Sequence, residues 1–159
     1  LSSLESRLAA AERLGRLQAA GLALDAGLPL GLIAQSPPAL ARFATVAPPT
    51  LSSLRAAFPE IARRARAASH PVAATWSDRL GQTLAGLVTI RRGNDVLIGP
   101  AASAVLATAQ DRLDAADLPG AVAALDTLDP AAAAITAAWK ADAQALLAAR
   151  AALATLARP

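Results

Sequence analysis

Apart from arginine, the side chains able to do chemistry in this chain are few and scattered. There is one histidine, His70, and no cysteine, so neither a shared His/Cys metal site nor a thiolate nucleophile can be assembled. His70 precedes Pro71 and reads as an exposed turn residue rather than a general base. Asp111, Asp114 and Asp117 recur at three-residue steps, a pattern that solvated carboxylates on a helix surface account for without any acid–base role. No glycine-rich phosphate loop, dinucleotide fingerprint or nucleophile elbow occurs. The chain therefore reads as non-enzymatic, with no cofactor and no metal.

Arginine is the exception. Residues 55–92 carry Arg55, Arg63, Arg64, Arg66, Arg79, Arg91 and Arg92 against only Glu60 and Asp78, while residues 93–159 are net acidic. A basic block joined to an acidic tail favours an anionic partner or an electrostatic contact between the two parts. Arg55, Arg63, Arg64 and Arg66 flank a stripe bearing Phe58 and Ile61, and Arg79 lies beside one bearing Trp76 and Leu80. Arginine on the polar edge and Phe or Trp on the apolar edge is the pattern of an interfacial helix on anionic lipid. Ordinary core packing uses the same pattern. Nucleic acid fits less well, because the arginines are not interleaved with stacking aromatics.

The elements that position these residues are helices. Alanine, leucine and arginine dominate and are strong helix formers, so the sequence predicts an all-α antiparallel helical bundle. It divides into three regions: an amphipathic helix in 1–34, basic amphipathic helices and a loop in 35–99, and helices in 100–159. In the first, Leu1, Leu4, Leu8, Ala11, Leu14, Leu17 and Leu24 recur at three- and four-residue steps. That stripe suits either a helix packed on its own domain or the end of a coiled coil. Gly27 and Pro29 stop it, with a short helix expected through Ile33. The uncharged run Ala26–Ala41 is broken by Pro29, Pro37 and Pro38 and is too short to span a membrane.

A short helix is expected between the Pro-Pro pairs at 37–38 and 48–49, and then Thr50 offers an N-cap for a helix with Leu51, Leu54, Phe58, Ile61 and Ala65 on one stripe. Pro59 predicts a kink or restart within it. Further on, Val88–Ile90 and Val96–Ile98 flank Arg91-Arg92-Gly93-Asn94-Asp95, which permits a small hairpin or an extended loop. Past Pro100, Val105, Leu106, Ala109 and Leu113 form one helix, and Val122 and Leu125 a second, joined by a tight turn at 116–119 as in a tetratricopeptide unit. One such hairpin is too few for a solenoid. A long terminal helix follows, with Ile135, Trp139, Leu146, Leu153 and Leu156 toward its buried side.

The order of these blocks resembles the C-terminal mitofilin domain in its alphaproteobacterial form. The blocks are "PTLSSLRAAFPEIARRARAA", "LVTIRRG", "AVLATAQDRLDAADLPGAVAALDTL" and "WKADAQALLAARAAL", and the resemblance covers roughly residues 48–155. It implies an inner-membrane protein anchored by an upstream transmembrane helix, with a coiled coil and this domain in the periplasm, or in the intermembrane space of mitochondria. It further implies membrane shaping, homo-oligomers, an anionic membrane surface as partner and contact with outer-membrane barrel-assembly machinery. In that family a lipid-binding segment precedes the domain, and its Arg-Phe pair matches Ala57 and Phe58 here. The basic position is alanine, leaving Arg55, Arg63 and Arg64 to supply the charge. The arginines of "LVTIRRG" are expected to end a buried helix and open a basic loop, touching lipid or pairing with Asp111, Asp114 and Asp117. The other class of function the sequence allows is a soluble tetratricopeptide-like adaptor that binds protein and no lipid.

Overall fold

A computed structural model describes residues 2–69, 90–92, 95–97 and 101–158. In chain order these form α1 (Ser2–Ala26), α2 (Pro38–Ala41), α3 (Leu51–Ser69), β1 (Ile90–Arg92), β2 (Asp95–Leu97), α4 (Ala102–Asp114), α5 (Leu118–Ala124), a 3-10 turn (Leu125–Thr127) and α6 (Pro130–Leu156). The fold is all-α, and the pair β1–β2 is the only sheet among the described residues. Two compact units divide the chain: Leu1–Leu54 with Asp142–Pro159, and Arg55–Ala141.

In the first unit the core is built from Leu17, Ala20 and Leu24 of α1, Leu40 and Phe43 from the α2 region, Leu54, and Ala143, Leu146 and Ala149 of α6. The first half of α1 contributes nothing to it, since every described residue before Leu17 is exposed. Helix α1 ends where expected. Gly27 adopts φ +70°, its N–H meets the Leu24 carbonyl at 3.3 Å and the Leu28 N–H meets the Ala23 carbonyl at 2.8 Å, the paired bonds of a Schellman motif. No helix follows through Ile33. Pro29 cannot extend one, Gly31 sits at φ +71°, and Leu30 and Gly31 instead donate to the carbonyls of Phe43 and Ala44 at 2.9 and 3.1 Å.

Helix α3 begins at the cap read from the sequence. The Ser53 N–H donates to Thr50 Oγ1 and the Thr50 N–H donates to Ser53 Oγ, both at 3.0 Å, a reciprocal box with serine in place of the usual glutamate. It then runs through Pro59 without a restart. Pro59 lies on the exposed side, where the carbonyl left free by its missing N–H can meet water.

In the second unit Val105, Leu106, Ala109 and Leu113 of α4 are all buried, as are Leu118, Ala121 and Val122 of α5 and Leu125 after it. The two helices pack on one another, as the hairpin reading requires. Their turn passes through Ala116 at φ +60°, with Ala116 N–H to the Leu113 carbonyl at 2.9 Å and Asp117 N–H to the Arg112 carbonyl at 2.8 Å. This is a second Schellman motif, with alanine at the position glycine prefers. Asp117 then caps α5 by accepting from the Gly120 N–H at 2.9 Å.

Candidate functional site

Helix α3 carries the basic block, and its wheel decides which side chains are free to act. Phe58, Ala62 and Ala65 recur at four and three residues and are buried. Glu60, Arg63 and Arg64 lie on the exposed side. Arg55 and Arg66 border the buried stripe and are half-buried.

What covers the apolar stripe is part of the unit's own core. The Phe58 ring has 0% exposed surface, and its centroid stands 4.9 Å from that of Trp139 on α6 at an interplanar angle of 59°. Such a tilted pair gains edge-to-face attraction beyond the area it buries. The expectation that Phe58 dips into an acyl boundary is therefore corrected for this fold: the ring presents nothing to a membrane. Ile61, on the same side, is only half-buried.

The arginines differ in how they are engaged. Arg55 Nη2 donates to the Asp114 backbone carbonyl at 3.0 Å and stands 3.8 Å from its carboxylate. Arg63 grips Glu60 with two bonds, Nε at 2.9 Å and Nη2 at 2.6 Å. The hydrogen bond from Arg63 holds the Glu60 carboxyl below its ordinary range, helped by the charges of Arg63 and Arg64, and the same bond raises Arg63. Arg64 and Arg66 have no ion-pair or hydrogen-bond partner among the described residues. Arg64 on the exposed side and Arg66 at the edge of the buried stripe therefore present guanidinium groups that are not already committed.

Of the acidic residues expected to answer Arg91 and Arg92, two have other partners, while the side chains of Arg91 and Arg92 lie outside the described residues. Asp114 takes Arg55 and the Gln110 amide, at 3.0 Å for the latter, while Asp117 takes Arg112 at 3.1 Å. Arg91 and Arg92 are not in a loop but in β1, where Ile90, Arg91 and Arg92 pair antiparallel with Leu97, Val96 and Asp95. The hairpin left open by the sequence is the arrangement found, and it takes the arginines into its strand. Trp76, Arg79 and Leu80 lie outside the described residues, as does His70.

Among the described residues no three His, Asp or Glu side chains are grouped to hold a metal. A shallow pocket of about 200 Å³ is lined by Ala104, Val105, Thr108, Ala124 and Thr127, none of them ionisable. Among the described residues, Asp129 is the other carboxyl held below its ordinary range. Burial pushes it upward, but the Ser69 hydroxyl at 2.5 Å and the amides of Ala132 and Ala131 outweigh that. Its task is to cap α6.

Two features of this surface escaped the sequence. The Phe58–Trp139 contact joins residues eighty-one positions apart, and no local spacing signals it. Leu28 and Leu32, in the stretch expected to be partly helical, are 58% and 94% exposed, and the uncharged run around them was the available signal. Compared with protein-family models, curated proteins and solved structures, the chain matches none. No helix of the described residues is long and apolar enough to cross a membrane.

Proposed function

We propose that this chain is the membrane-facing scaffold module of a mitofilin-like protein, non-enzymatic, meeting an anionic bilayer through the basic face of α3. The observation that carries the reading is the division of that helix. Its apolar side is consumed by Phe58 against Trp139, while Arg64 and Arg66 keep uncommitted guanidinium groups beside the Arg63–Glu60 pair. Contact through α3 is then electrostatic, each arginine near the surface adding about 1 kcal/mol at an anionic leaflet. Such binding weakens steeply with salt. The wider mitofilin setting belongs to the same proposal: an upstream inner-membrane anchor, a periplasmic location and contact with an outer-membrane barrel-assembly protein.

Self-association fits the exposed start of α1. Leu4 and Leu8 are 64% and 61% exposed on a stripe that the unit's own core leaves uncovered. Placed in a heptad with Leu8 at a and Leu4 at d, Arg7 falls at g and Glu12 at e. In a parallel pair each Arg7 faces the partner's Glu12, whereas an antiparallel pair sets Glu5 against Glu12. A parallel dimer is the favoured arrangement.

Flotation with phosphatidylcholine vesicles, with and without phosphatidylglycerol, tests the reading. The parent chain floats with the anionic vesicles, and its binding weakens as salt rises. An Arg64→Glu/Arg66→Glu variant of unchanged helicity loses about 100-fold in affinity or more, since each reversal also adds repulsion. Flotation that the Arg64→Glu/Arg66→Glu variant retains in full sinks the α3 contact, and no flotation at all sinks the lipid reading and favours an adaptor that works through protein contacts.

A further inference from the structure

We infer that the loop between α1 and α2, Gly27–Ser36, is a second membrane contact: Leu28 and Leu32 enter the acyl boundary of an anionic bilayer while Arg13, Arg16 and Arg42 take its phosphates. It shares no residue with the basic part of α3.

The loop is built rather than slack. Its backbone is tied at both ends by Leu28 N–H to the Ala23 carbonyl at 2.8 Å and Ser36 N–H to the Ile33 carbonyl at 3.2 Å. Across its middle, the bonds from Leu30 and Gly31 to Phe43 and Ala44 hold it against the segment after α2. Left-handed residues at Gly27, Gly31 and Gln35 shape it, and Pro29 has no N–H to satisfy. The amides of Leu28, Leu30 and Gly31 so paired need no water, which favours their approach to an apolar interface. On this frame Leu32 is 94% exposed, the most exposed large apolar residue of the described chain, with Leu28 at 58%.

Charge selects the occupant. From Ala26 to Ala41 no residue is ionisable, so nothing charged must be dragged into the interface. A cleft of about 300 Å³ is lined by Arg13 and Arg16 together with Leu17, with Ile33 and Gln35 of the loop, and with Leu156. Arg13 spends one donor on the Leu156 carbonyl at 3.3 Å, and Arg16 has no partner among the described residues. Arg42 is exposed, its guanidinium 5.1 Å from the Phe43 ring centroid beside the loop's hydrogen bonds. The nearest acid along the chain, Asp25, is taken by Arg150 at 3.0 Å. An apolar loop with arginines beside it, none of them paired to a carboxylate among the described residues, matches an anionic lipid surface. A second copy placed on the same patch would set these arginines against their like, which disfavours a symmetric dimer there.

The chain has no cysteine, so Leu32→Cys gives one labelling site for an environment-sensitive nitrobenzoxadiazole probe. With phosphatidylcholine–phosphatidylglycerol vesicles the probe emission rises, shifts blue and is quenched by nitroxide-bearing acyl chains. In unlabelled protein, Leu28→Asn/Leu32→Asn lowers vesicle partitioning by about tenfold, the scale expected for two partly buried leucines. Both sites are exposed, so circular dichroism should show an unchanged fold. Protein that sediments with vesicles while its probe stays aqueous overturns the loop contact and leaves the α3 reading standing. Absence of any vesicle binding overturns both. A probe shift that grows with protein concentration and needs no vesicles assigns the loop to a second copy and also overturns the inference.

Discussion

Replacing Phe58 with alanine separates the two uses an amphipathic helix can make of an aromatic ring. The ring is wholly buried against Trp139, so its removal takes a phenyl group from a closed site rather than from a surface. An aromatic side chain buries about 150–250 Å². At about 25 cal/mol per Å², with the methyl retained by alanine subtracted, the transfer part comes to roughly 3–5 kcal/mol, the range seen for Phe→Ala in cores. Part of this is the ring pair itself, about 0.5–1.5 kcal/mol, recoverable from a double-mutant cycle with Trp139→Leu. Against a total stability of about 5–15 kcal/mol the loss is large, and it lowers the melting temperature by roughly 10 °C. Urea unfolding followed by circular dichroism measures it, and vesicle flotation below the new melting point accompanies it. The expected result is a large loss of stability with unchanged lipid affinity. A stability change under about 1 kcal/mol combined with weakened flotation would refute the argument, because surface substitutions fall in that range. The ring would then be at the membrane rather than in the core.

Other substitutions probe the caps and the self-association surface. Asp129→Ala removes the cap of α6 and costs about 1 kcal/mol. Because Asp129 is held below its ordinary value, its contribution is present above the unfolded carboxyl value and is lost as pH falls through the depressed one. The difference between parent and Asp129→Ala in urea unfolding should therefore narrow on acidification below about pH 4. Ala116→Gly relieves a left-handed alanine at φ +60° and should raise stability by up to about 1 kcal/mol. Leu8→Glu, on the exposed half of α1, should leave helicity intact and shift sedimentation equilibrium toward the monomer.

Legibility varied with the size of the side chains. Helix α4 was readable residue by residue, because Val105, Leu106, Ala109 and Leu113 stand out from smaller or polar neighbours, and all four are buried. Helix α6 was readable as a helix but not in its facing. Of the large residues expected inside, Trp139 and Leu146 are buried, whereas Ile135, Leu153 and Leu156 are only half-buried. Ala132, Ala143, Ala145 and Ala149 fill the core in their place, and alanine on every side of a helix leaves no stripe to read. The segment after Gly27 was misread as helical because what decides it is remote: the carbonyls of Phe43 and Ala44, which claim the N–H groups of Leu30 and Gly31. For Arg91 and Arg92 the resemblance of "LVTIRRG" points to a loop and the flanking β-branched residues also permit a hairpin, and the choice rests on pairing with Asp95–Leu97.

The basic helix shows a more general limit. A stripe such as Leu54, Phe58, Ala62 and Ala65 states that one face of α3 must leave water, and it is silent about whether protein or lipid covers it. Hydropathy alone treats a Trp139 ring and an acyl chain alike. Only the fold decides, and here it gives Phe58 a protein neighbour, which removes apolar insertion from α3 and leaves it arginine alone. A surface held by charge is reversible and salt-sensitive, whereas one that also inserts leucine resists salt. If α3 and the Gly27–Ser36 loop both meet the bilayer, the two contributions separate experimentally. Charge reversal at Arg64 and Arg66 should remove the α3 share of the salt-sensitive part and leave that of Arg13, Arg16 and Arg42, and loss of Leu28 and Leu32 should remove the part that survives at high ionic strength.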